Sequence, residues 1–87
     1  MKLILAIVRD TDSESVVQAL TASDLRVTRV ASTGGLLRRG MVTLLIGVEP
    51  SRVEETLEIV RTRCAPAPAG QKRGAIFVIP VEQFVQL

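Results

Sequence analysis

The chain has 87 residues, 47% of them hydrophobic, and its 11 Lys and Arg against 9 Asp and Glu leave a formal charge of +2. It holds no histidine, tryptophan or tyrosine, and Cys64 is its one cysteine. Those bounds exclude a histidine base or metal ligand, a disulfide framework, a multi-cysteine metal site and an aromatic platform for single-stranded nucleic acid.

Leu3 to Val8 is a continuous apolar run rich in β-branched residues and predicts a central strand. Asp10 to Ser13 follows with capping residues, and Thr11 with Glu14 three positions on fits a capping box. Val16, Val17 and Leu20 then recur at helical spacing, so the first helix is expected over Ser13 to Ala22. Ser23-Asp24 turns the chain into an alternating strand from Leu25, with Arg26 and Thr28 on one side and Leu25 and Val27 on the other. A roughly ten-residue loop, Ser32 to Met41, leads to the apolar strand Val42 to Val48, broken only by Gly47.

A second capping box, Ser51 with Glu54, opens a helix expected to run to about Cys64, with Val53, Leu57, Val60 and Cys64 on its apolar side. Cys64 reads as a small buried hydrophobe. Ala65 to Arg73 has two prolines, a glycine and no period, which marks a linker. Ala75 to Val81 is the last strand, and Pro80 assigns it to an edge of the sheet. The tail Val81 to Leu87 is long enough for one helical turn.

The order is β-α-β-β-α-β within one small domain spanning residues 1–87. It predicts an α+β, ferredoxin-like fold, a four-stranded antiparallel sheet with two helices on one face. Two helices cover only one side of such a sheet. Yet the first strand, the Val42–Val48 strand and the last strand are apolar on both sides. A mean hydropathy of +0.35 agrees. No run approaches the ~18 apolar residues of a membrane span, and LILAIV is too short for a leader's apolar region. The open face is therefore expected to be covered by other copies of a soluble, cytoplasmic chain. The positive charge is not gathered on one helix, as reading a nucleic-acid groove requires.

The chemistry concentrates at the loop. Gly34 and Gly35 permit close backbone approach, and Arg26, Arg29, Arg38 and Arg39 surround them with no acid inside the loop. The pattern suits an anion, and equally suits a solvated loop whose arginines aid solubility. Elsewhere the acids fit helix caps and helix faces. No phosphate-binding P-loop or dinucleotide fingerprint is present. Nothing points to an enzyme or to a cofactor.

Four stretches, MKLILAIVRDTD, RVTRVASTGGLLRRG, TLLIGVEPSRVEETLEIV and IFVIPVEQF, resemble the bacterial cyclic di-AMP receptors, PII-like signal-transduction proteins. The resemblance runs from Met1 to about Cys64 and resumes at Ala75. It implies a homotrimer that holds a cyclic dinucleotide between subunits and signals to a downstream protein. It implies ligand contacts at Arg26 and Thr28, a loop wall of Gly35, Leu36 and Leu37, a close-approach glycine at Gly47, and contributions from Phe77 and Gln86. Met41 stands where the family usually has asparagine, and Leu36 where it usually has an aromatic residue. The Ala65–Arg73 linker is short by family standards, and one glycine of the usual pair before the last strand is missing. Another anionic nucleotide, such as ATP or ADP, and a structural module without a ligand are the alternatives.

Overall fold

The computed structural model describes residues 1–30 and 40–87. Along the chain come β1 (Lys2–Arg9), α1 (Asp10–Ala22), β2 (Val27–Val30), β3 (Met41–Val48), a 3₁₀ turn (Pro50–Arg52), α2 (Val53–Arg63) and β4 (Gly74–Pro80). The four strands form one antiparallel sheet in the order β2-β3-β1-β4. This is the expected ferredoxin-like arrangement, with β1 inside and the proline-bearing β4 at an edge.

The two-residue period of the strands decides which side of each is buried. Ile4, Ala6 and Val8 of β1 and Leu44, Ile46 and Val48 of β3 turn to the helices. There they meet Val16 and Leu20 of α1, Val60 of α2 and Cys64 just beyond it. Thr56 is fully buried among them and donates its hydroxyl to the carbonyl of Arg52 at 2.8 Å, which removes the cost of an unpaired polar group.

Neither capping box forms. Helix α1 starts at Asp10, directly after β1, so Thr11 falls inside its first turn and no side chain caps it. The N-cap position falls on Arg9, the last residue of β1, whose side chain has no acceptor for the free amides of the first turn, and the amide of Asp10 donates to the carbonyl of Gly40 at 2.7 Å. Asp12 turns instead to Arg9, 2.8 Å away, and accepts from the amide of Ala65 at 3.2 Å. Arg9 also donates to the carbonyl of Ala65. Ser51 lies within the 3₁₀ turn that Pro50 opens, and α2 likewise has no side-chain cap. The tail after β4 is irregular and, beyond the half-buried Val81, exposed, without a helical turn.

The linker between α2 and β4 has neither helix nor strand, as its composition predicts. Its ends are fastened, by Arg9 and Asp12 at Ala65 and by Arg73 at the end of α2. Among the described residues, no helix is long and apolar enough to cross a membrane.

Candidate functional site

The other side of the sheet carries Thr28, Gly47 and Phe77 among the residues expected at a site. Register places Thr28, Leu45, Leu5 and Phe77 in one row across all four strands. The next row holds Gly47, Leu3 and Ile79, and continuing the β2–β3 register sets Arg26 opposite Gly47. Leu3, Leu5 and Leu45 are half-buried and Phe77 is 52% exposed, with no described element of the chain lying over them. The expected apolar open face is therefore real.

Arg26 and Gly47 meet. They line one depression of about 260 Å³ together with Met1, Asp24, Glu49 and Arg52. Arg52 is tied down there by Glu55 at 2.9 Å and by the carbonyl of Ser23 at 2.8 Å. The hydrogen bond between them lowers the Glu55 carboxyl and raises the Arg52 guanidinium relative to their ordinary values. Arg26 makes no ion pair among the described residues. Its planar fork is left available for a phosphate or a purine edge.

Gly47 sits in regular register with Leu3, so it is not a bulge. A Cβ built on it would come no nearer than 3.8 Å to any atom, and that atom is the end of the Met1 side chain. Glycine weakens a strand interior, and no neighbour among the described residues requires one here. What it provides is clear space above the sheet beside Arg26.

The remaining predicted residues stand apart. Thr28 is exposed one row from Gly47, whereas Phe77 lies two strands from Gly47 and three from Thr28, about 10 Å and 14 Å at the usual strand spacing. Met41 is half-buried at the opposite end of β3, roughly 20 Å from Gly47 along the strand. Gln86 is exposed in the tail. Gly35, Leu36 and Leu37 lie outside the described residues, as do Arg38 and Arg39. Arg29 faces the helices and pairs with Glu14 of α1 at 3.7 Å, so it does not add charge to the open face. Its odd-numbered place, on the same side of the strand as Leu25 and the half-buried Val27, was the available signal.

Sequence reasoning missed Gly74. With φ of +152° and a notional Cβ only 2.0 Å from the carbonyl oxygen of Ile7, this position admits no side chain, and it fixes how β4 meets β1. Its place just before an apolar run was the clue.

Fold and site together define a class, small ferredoxin-like modules whose helices shield one face of the sheet and whose other face is apolar and open. Within that class, residues 1–69 match the family model described as cyclic-di-AMP receptor, and the chain belongs to that family. The chain is also similar to the crystal structure of a functionally unknown protein from Pediococcus pentosaceus. Identity is 34% and the TM-score 0.78, over 99% of this chain and 96% of the other. Phe77 and Gln86 lie beyond the residues matched by the family model, but the structural likeness extends over that part of the chain.

Proposed function

We propose that the chain is a non-enzymatic, PII-like signalling receptor of the cytoplasm that binds cyclic di-AMP in a cleft between the subunits of a homotrimer. Arg26 anchors the ligand, Thr28 adds a hydroxyl, and Gly47 lets a base lie close to β3. Phe77 and Gln86 reach the same ligand from a neighbouring copy, while Gly35, Leu36, Leu37 and Met41 close over it. Ligand ordering of the loop is the signal, read by a downstream protein.

The observation that carries this reading is the pairing of Arg26 with Gly47, an arginine without an ion pair and a glycine that no neighbour requires among the described residues. The separation of Phe77 and Met41 from that pair supports the intersubunit part. One subunit cannot bring all of them to one dinucleotide, whereas apposed open faces can. Membership of the cyclic-di-AMP receptor family supports the choice of ligand.

A second reading, another anionic nucleotide such as ATP or ADP, is favoured by Met41. A thioether is at best a weak acceptor and does not read the edge of a base. Calorimetric titration of the purified protein with cyclic di-AMP, cyclic di-GMP, ATP and ADP decides between them. Saturable binding of cyclic di-AMP ahead of the other three is expected. Equal or tighter binding of ATP or ADP transfers the assignment to the second reading.

A further inference from the structure

Two connections meet the sheet at the end of β1 that carries Arg9. One enters β3 through Gly40, and the other is the linker from α2 to β4. Both are fastened to the same short stretch of chain, Ile7 to Asp12. The amide of Asp10 donates to the carbonyl of Gly40 at 2.7 Å, and Arg9 pairs with Met41 in the β1–β3 register. At the head of the linker, Ala65 is held at both its amide and its carbonyl. The amide donates to Oδ1 of Asp12 at 3.2 Å, and the carbonyl accepts from the Arg9 guanidinium. At the foot, Arg73 reaches back to the carbonyls of Arg61 and Cys64, and Gly74 lies against the carbonyl of Ile7.

Asp12 is the piece that joins the two. Its side chain is only 7% exposed, and its oxygens are divided between partners. Oδ2 takes the Arg9 guanidinium at 2.8 Å, and Oδ1 takes the Ala65 amide. A buried carboxylate that loses a hydrogen bond keeps the cost of its desolvation, so it holds both partners or pays for neither. Asp10 and Asp12 also share the first turn of α1. A displacement of the Gly40 carbonyl therefore pulls on that turn, and with it on the carboxylate that grips Ala65.

We propose that Asp12, clamped by Arg9, is a positioning residue that couples the entry to β3 with the head of the α2–β4 linker. A change at Gly40 is felt at Ala65, and by the reciprocity of coupling a change at Ala65 is felt at Gly40. The coupling is a property of the free chain and needs no ligand, so it is tested apart from the receptor reading. In a receptor it would carry the state of one connection to the exposed surface of the other.

The test follows backbone amide resonances and hydrogen exchange in the isotope-labelled full chain by nuclear magnetic resonance. Gly40→Ala disturbs one end. Its φ of +83° strains a residue with a side chain, while the added Cβ meets no described atom within 4 Å, so the disturbance is of the backbone. Ala65→Pro disturbs the other end, because proline has no N–H to give Asp12. Cys64 before it already has the extended conformation, ψ 127°, that suits a residue preceding proline. Gly40→Ala should move the Ala65 resonance and speed its exchange about two- to tenfold, the weight of one ordinary hydrogen bond. Ala65→Pro should move the resonances of Asp10 and Met41. The amides of Leu5 and Leu45 in mid-sheet should stay in place, as they would not if the whole fold loosened. With Asp12→Ala added, each change should remain at its own end. Asp12→Asn keeps an acceptor for Ala65 without the charge that Arg9 clamps, and should give weaker crossings than the wild type even if Asp12→Ala fails to fold. The proposal is overturned if either substitution stays local in the otherwise wild-type chain, or if both cross undiminished in the Asp12 variants that fold.

Discussion

Gly74 and Gly47 are both strand glycines, but different surroundings hold them. An alanine at Gly74 meets the Ile7 carbonyl and a backbone angle that side chains rarely adopt. Strain of that kind costs about 1–3 kcal/mol before the clash is counted, so Gly74→Ala should lose at least that much in urea unfolding. Gly47→Ala meets only the tip of Met1, and its unfolding midpoint should stay or rise slightly. Its affinity for cyclic di-AMP should nonetheless fall, because the Cβ enters the space where a base is proposed to lie. Loss of stability without loss of binding at Gly47 would return the glycine to a packing role. Arg26→Ala should weaken the dinucleotide roughly 10- to 150-fold, the equivalent of about 1.5–3 kcal/mol for a hydrogen bond to charge. Its oligomeric state should not change, and calorimetry beside light scattering checks both. For Cys64, burial is the main reason the thiol is raised, with the charge of Asp12 adding to it. Its labelling by a thiol reagent should therefore climb with pH along a curve displaced above the 9.0 of an ordinary thiol.

At the level of elements, the junction of β1 and α1 shows what a local motif cannot reveal. Thr11 with Glu14 and Ser51 with Glu54 have capping-box spacing, yet Asp12 is engaged by a residue from the far end of the chain's second helical unit. Capping boxes are judged from four consecutive residues, whereas the Arg9–Asp12–Ala65 brace depends on a partner 53 positions away. The strands were legible because their periodicity reports burial directly, and β4 was correctly put at an edge from Pro80 alone. The site was legible only in pieces. Alternation puts Arg26 and Thr28 on one side of the strand and the family resemblance implies their place in the site, but the meeting of Arg26 with Gly47 is a matter of register between β2 and β3. Removing the brace with Asp12→Ala leaves Arg9 and the Ala65 amide without that partner, and should cost about 1–3 kcal/mol in chemical unfolding. A wild-type midpoint would mean that water replaces the carboxylate freely. At the loop's exit strand, Met41→Asn should tighten cyclic di-AMP by about 0.5–1.5 kcal/mol, one neutral hydrogen bond, and raise its preference over cyclic di-GMP. Equal titrations of mutant and wild type would place position 41 outside the cleft.

For the whole molecule, the decisive feature is a sheet finished on one side only. Leu3, Leu5, Leu45 and Phe77 are as apolar as the core residues with which they alternate, but no part of the described chain lies over them. Leu5 stands in the central row between Leu45 and Phe77. A charge there is costly to bury unpaired, so Leu5→Asp should convert the proposed trimer to monomers while the helix-side core still folds. The receptor account joins this face to the ligand, since neither half of the proposed cleft is complete in one subunit. The most direct test is therefore titration of cyclic di-AMP into wild-type protein and the Leu5→Asp variant, each with its mass in solution measured by light scattering. The account predicts a trimer that binds one dinucleotide per chain and a monomer that has lost binding. A wild-type monomer that binds the dinucleotide, or a trimer that does not bind it at all, would contradict it.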